Sequence, residues 1–182
     1  MRALRTFCSV SALLLIGGMA ACSDTPTKSP DVTASIRQSL DQAGFKDVSV
    51  SQDRDKGVVT LTGTTASDVD KTQAETIAKS YAGTQVVSDQ IAVRPPGDES
   101  IAKKVDSDLD KGIEKNLDAV LVQHKLDSAV KYDVKNGVVT LNGKVNSQSK
   151  RAWVQKLAAD VPNVRQVVNE LEVKGQKATS SD

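Results

Sequence analysis

Aromatic residues make up only 3% of the 182-residue chain, with one tryptophan, two tyrosines and two phenylalanines. Any core must therefore be built from small aliphatic side chains. There is a single histidine, His124, and the only cysteines are Cys8 and Cys22. This leaves no cluster with the His and Cys spacing of a zinc site and no His-paired nucleophile. The formal net charge of +1 gives no bulk electrostatic case for nucleic-acid binding. No dense glycine run leads into a helix with a lysine, so a phosphate-cradling loop is missing as well. These absences predict a protein with no catalytic residues, no metal, no cofactor and no nucleic-acid partner, and not an enzyme.

The longest apolar run, in "TFCSVSALLLI", is too short to span a bilayer and lies between Arg2, Arg5 and the small residues "GGMAAC". That order is the layout of a secretory signal peptide over residues 1–21. "MAAC" resembles a bacterial lipobox, with Met19 where leucine is usual. The resemblance implies acylation of Cys22, which would otherwise be a lone thiol in an exported protein. It also implies, through the Ser23 that follows, sorting to the outer membrane. The alternative is cleavage after Ala20 or Ala21 and a soluble periplasmic protein. "SDTPTKSP" then reads as a polar tether over residues 22–30 with the cysteine, and residues 175–182 as a disordered tail.

What the chain does have is a repeat. "GVVTLTG" at 57–63 returns as "GVVTLNG" at 137–143, and residues 57–93 lie on 137–173 without a gap. Ten of those 37 positions are identical. Two copies are too few for a solenoid, so they predict two tandem domains, 31–94 and 99–174, joined by a linker at 95–98. In copy one, Ser29 is placed to cap a first helix with Pro30 at its first turn, and Gly44 to end it. Alternating Val48 and Val50, or Val130, Tyr132 and Val134, predict a strand. "DKG" or "KNG" predicts a tight turn, and the repeated heptapeptide the returning strand. Val59 and Leu61 are expected to face inward, Thr60 and Thr62 to face water, and the second glycine to close the strand. A second helix carries Ala74, Ile77, Ala78 and Tyr81 against Val154, Leu157, Ala158 and Val161, one apolar face at helical spacing. Val87, Ile91 and Val93 match Val167, Leu171 and Val173 in a last strand.

The fold class is therefore α+β: two tandem small α-β-β-α-β modules, each a three-stranded sheet with two helices on one face. At this size the two are expected to lean on each other. This pattern, with "NGVVTLNG" and "VVNELEV" as its best stretches, resembles the BON domain of bacterial envelope proteins over residues 31 to 174. The resemblance extends to dual-BON lipoproteins and their soluble, osmotically inducible relatives. It implies a periplasmic or outer-membrane role in envelope integrity or osmotic stress tolerance, phospholipid binding, and no catalytic residues.

Two further stretches bear on function. Ile101, Val105, Leu109, Ile113, Leu117 and Leu121 recur every four residues, predicting a first helix in copy two of about 25 residues. A period of four drifts around a helix, so one half is expected to pack on its own sheet. The other half would then brace copy one, lie on a membrane or hold a partner. "DSDLDKG" at 106–112 is superficially like a calcium loop, but Leu109 continues the helical stripe. The second stretch surrounds Trp153. Its repeat partner is Gln73, and it stands about 100° from the shared apolar face. Lys150, Arg151 and Lys156 flank it on the same helix, a composition suited to an anionic headgroup layer. Residues 99–173 carry 12 basic and 11 acidic residues, net +1, whereas 32–93 carry 6 and 8, net −2. Copy two is thus the expected contact for anionic phospholipid, alongside the acyl anchor. The alternative is an adaptor docking on an envelope protein or assembly complex.

Overall fold

The computed structural model describes residues 28–175. Residues 1–27, with the expected signal peptide and Cys22, and residues 176–182 of the expected tail lie outside the described residues. In chain order the elements are α1 (Thr33–Gln42), β1 (Val48–Asp53), β2 (Val58–Thr65), α2 (Asp68–Ala82) and β3 (Val86–Val93). The second set is α3 (Glu99–Gln123), β4 (Val130–Lys135), β5 (Val138–Val145), α4 (Gln148–Ala159) and β6 (Gln166–Val173). Each set forms one three-stranded sheet, with the middle strand antiparallel to the first and parallel to the third. The chain is an α+β protein of two tandem modules.

Local chemistry accounts for the punctuation. Ser67 and Ser147 cap α2 and α4, each hydroxyl accepting the amide three residues on. Asn136 and Gly137 both hold positive φ, 51° and 78°, as a two-residue hairpin turn requires. The second glycine of the repeated heptapeptide does something other than close the strand. Gly63 pairs with Val48 inside β2, and a Cβ there would lie 1.9 Å from the Asp47 carbonyl oxygen. Gly143 repeats the arrangement, 2.2 Å from the Ala129 oxygen. Both are sites of close backbone approach, at φ +114° and +127°.

The start of α1 also differs from expectation. Val32, not Ser29, is its N-cap residue, and Asp31 Oδ1 accepts the Thr33 amide. Ser29 and Pro30 belong to the hairpin instead. The Ser29 amide donates to the Arg54 carbonyl, Arg54 Nε returns a bond to the Ser29 carbonyl, and Gln52 Nε2 donates to the Pro30 carbonyl. Residues 28–30, expected to be tether, are stitched to the first module.

On the helix side of the first sheet, Ile36, Leu40, Val59, Leu61, Ala74, Ala78 and Ile91 form the core. In the second module Ile113, Leu117, Leu121, Leu126, Leu141, Val154 and Leu171 do the same. Burying each larger aliphatic side chain contributes roughly 1.5–3 kcal/mol, so the alanine-rich first core is the weaker. Tyr81, expected in that core, is exposed; its hydroxyl accepts from Ser39 Oγ at 2.8 Å, and Ala82 is buried next to it.

Thr60 and Thr62 are half-buried rather than facing water. The reason lies on the far side of the sheets. Val58, Val86, Val138 and Val168 bury one another, and Ser88 and Ala92 are buried with them. The modules therefore lean on each other through the faces their helices leave uncovered. Gln166 fastens the junction: its side chain accepts from the Asp89 amide and donates to the Val87 carbonyl of β3.

Candidate functional site

Helix α3 is 25 residues long, and its drift decides what it shows to solvent. Each step of four residues advances about 40° around the axis, so Ile101 stands roughly 120° from Ile113. Ile113, Leu117 and Leu121 are buried in their own module. Toward the N-terminus the half-buried positions become Ala102, Asp106 and Asp110. Asp106 pairs with Arg94, and the Asp110 carboxylate accepts the Asn136 and Gly137 amides, each at 2.8 Å. The strut is thus held by polar bonds, and the apolar stripe does not close on the first module. Ile101, Val105 and Leu109 are 64%, 51% and 38% exposed.

At the other end of α3, Val122 is exposed and His124 caps the helix. Lys125 follows in the left-handed region at φ 55°. The imidazole of His124 meets Trp153 edge-on, with centroids 5.0 Å apart and planes at 77°. Trp153 projects from α4, one position before the fully buried Val154, and keeps 40% of its surface exposed. Lys125 and Lys156 are exposed and Lys150 is half-buried. His124 and Trp153 thus make a surface patch, with exposed Val122 and Lys125 beside the histidine in the chain. The histidine side of this patch comes from α3 and was invisible in the spacing of α4 alone.

Arg151 does not belong to it. This residue, expected among the surface cations, is 8% exposed and turned the other way. Its Nε donates to the Leu171 carbonyl at 3.0 Å and its Nη2 to the Asn169 carbonyl at 2.7 Å. Burial pulls its pKa below the ordinary value. Asn169 completes the arrangement, accepting the Leu171 amide and donating to the Arg151 carbonyl and to Gln155. The pair seals the edge strand β6, whose backbone would otherwise invite another strand. In the first module Lys71 and Asp89 stand at the matching positions. Lys71 Nζ donates to the Ile91 carbonyl, Asp89 accepts the Ile91 amide, and the two charges lie 3.7 Å apart. The sequence signal was present in the alignment: a cation on the helix opposite Asp or Asn on the last strand, in both copies.

Among the described residues seven large hydrophobic side chains are left exposed, and of these only Val69 and Tyr81 belong to the first module. Ile101, Val105, Leu109, Val122 and Trp153 are all on α3 or α4. Among the described residues no helix is long and apolar enough to cross a membrane, and no group of three His, Cys, Asp or Glu is placed to hold a metal ion.

Comparison with known proteins finds the BON domain matched twice, over residues 29–95 and 98–175. Osmotically-inducible protein Y of Escherichia coli (strain K12) is 31% identical over 148 residues, covering 79% of this chain and 71% of that protein. Among solved structures, the C-terminal domain of CdsD, a structural protein of the type III secretion system of Chlamydia trachomatis, is 16% identical. It covers 81% of this chain and 99% of its own, with a TM-score of 0.32. A second CdsD structure, also 16% identical, covers 79% and 92%, with a TM-score of 0.35.

Proposed function

This chain belongs to the BON domain family, once in each module, and from that premise we propose that it is a non-enzymatic protein of the bacterial envelope. Its second module lies against an anionic phospholipid surface, and it supports envelope integrity under osmotic stress. The periplasm is its compartment, and acylated Cys22 is its anchor in the outer membrane. Osmotic stress comes from the osmotically inducible relative; the lipid surface comes from the distribution of exposed hydrophobic residues. That distribution carries the reading, because five of the seven sit on α3 and α4 of the module with the net positive charge.

The chemistry fits the assignment. An indole half in protein and half in solvent suits the headgroup boundary, and each nearby Lys adds about 1 kcal/mol against anionic lipid. Lys125 and Lys156 are the exposed cations of the Trp153 patch; Lys103 and Lys104 accompany Ile101 and Val105.

Trp153 is the only tryptophan, so its fluorescence reports on the patch directly. Vesicles containing phosphatidylglycerol should shift its emission to the blue and float the protein. Salt and the Lys125→Glu/Lys156→Glu pair should weaken both effects. Flotation without a shift, abolished by Ile101→Ser/Val105→Ser, would move the lipid contact to α3. No flotation with any anionic vesicle would sink the lipid reading and leave the adaptor.

A further inference from the structure

The modules meet through a patch that is partly repeated between them. At the repeat offset of 80 residues, Lys56 corresponds to Asn136, Val58 to Val138 and Gln90 to Glu170. Across the junction, Lys56 Nζ donates to the Glu170 carboxylate. Its image is Asn136 Nδ2, which donates to the Gln90 carbonyl at 2.7 Å. Val58 and Val138 lie together in one buried cluster with Val86 and Val168. The Lys56 and Asn136 contacts answer each other with the modules interchanged, and Val58 and Val138 stand at equivalent positions, whereas Val86 and Val168 have Gln166 and Ser88 as their repeat partners. A patch complementary to the other repeat of its own chain is equally complementary to that repeat in a second copy.

The link between modules is short. Between the end of β3 and the start of α3 lie residues 94–98, with Pro95 and Pro96 among them. Five residues reach about 17 Å at full extension, and paired prolines stiffen them further. Short hinges favour exchange of a domain over closure upon itself when a second chain is near.

We propose that two copies of this chain exchange modules, the first module of each seating on the second module of the other. Both junctions of the pair keep the contacts of the closed chain; only the path of residues 94–98 changes. No surface beyond the present junction is needed, so concentration alone sets the balance between closed chain and pair. Confinement to one membrane leaflet would raise that concentration, but the exchange itself does not depend on lipid.

A charge swap tests it on the full chain. Lys56→Glu in one preparation and Glu170→Lys in another each place like charges across a closed junction. In a mixed exchanged pair, one junction regains opposite charges and the other keeps the natural Lys56–Glu170 pair. Refolded alone, each variant should give the mass of one chain by light scattering. Refolded together, the equimolar mixture should give twice that mass. A mixture that stays at one-chain mass up to millimolar concentration overturns the proposal. So does equal dimer formation by either variant alone, because the junction would then not be the contact. Should either variant fail to refold, two mass-labelled wild-type chains decide. Refolded together at rising concentration, they should give mixed pairs by native mass spectrometry, and an exclusive one-chain mass again overturns it.

Discussion

The edges of β3 and β6 are sealed by the same device made with different charges. In the second module a buried guanidinium spans two carbonyls and a neutral Asn169 takes the free amide. In the first, Lys71 reaches one carbonyl, and Asp89 takes the amide while ion-pairing with it. Arginine can serve two acceptors with one planar group, so its partner need only be polar; an ammonium is a point charge and stays beside a carboxylate. The first helices differ in the same sense. Ten residues of α1 suffice to close the alanine-lined first core, whereas α3 runs 25 and carries its surplus apolar surface into solvent. One repeat has been kept as a small scaffold, and the other has been lengthened into the surface-bearing half.

The largest effects should come from positions where the modules agree. Gly63→Ala and Gly143→Ala each force a methyl group into a carbonyl oxygen at positive φ. Each should cost about 3 kcal/mol or more in chemical denaturation. The first module should be the one that no longer folds, because its core has less to spare. If both variants melt like the wild type, the close approach of Asp47 and Ala129 is wrong. A smaller effect separates the modules. Asp110→Ala removes a charged acceptor from the Asn136 and Gly137 amides and should cost about 2 kcal/mol. The loss should appear in the second module, and Asp110→Asn should recover only part of it. A loss confined to the first module would contradict the strut as described.

Much of this was legible in the sequence wherever structure is decided locally. The hairpins and the buried stripes follow from spacing alone, and the 25-residue α3 follows from the length of its apolar repeat. Contacts made at a distance were not legible. Ser29 looked like a cap because it precedes Pro30, but the amide it satisfies is its own, against Arg54 of the hairpin. Thr60 and Thr62 looked solvent-facing because alternation identifies two faces and does not say that both are covered. Arg151 looked like a surface cation because Lys150 and Trp153 surround it in sequence, although helical geometry sets it beside the buried Val154 and not beside the indole. The candidate lipid surface was half legible: Trp153 was singled out by its mismatch with Gln73, while His124 reaches it only through the fold.

The smallest effect tests whether the two edge seals differ as their charges suggest. Burial raises the pKa of Asp89 above its ordinary value, against the opposing pull of Lys71 and the Ile91 amide; Glu75 adds to the rise. In the unfolded chain this carboxyl ionises at about pH 4. The folded first module holds its proton to higher pH, so in that window the native state binds more protons than the unfolded one. Its stability must then fall as pH rises from about 4 and level off once the folded carboxyl has ionised. Asp89→Asn should remove that decline, and Lys71→Arg combined with it should restore at neutral pH the packing the second module already has. Melting temperatures of the first transition, measured across pH 3.5 to 6.5 for the wild type and both variants, read this out. Parallel curves would mean that Asp89 is as well compensated by Lys71 as a surface carboxylate. The contrast between the modules would then be one of shape alone.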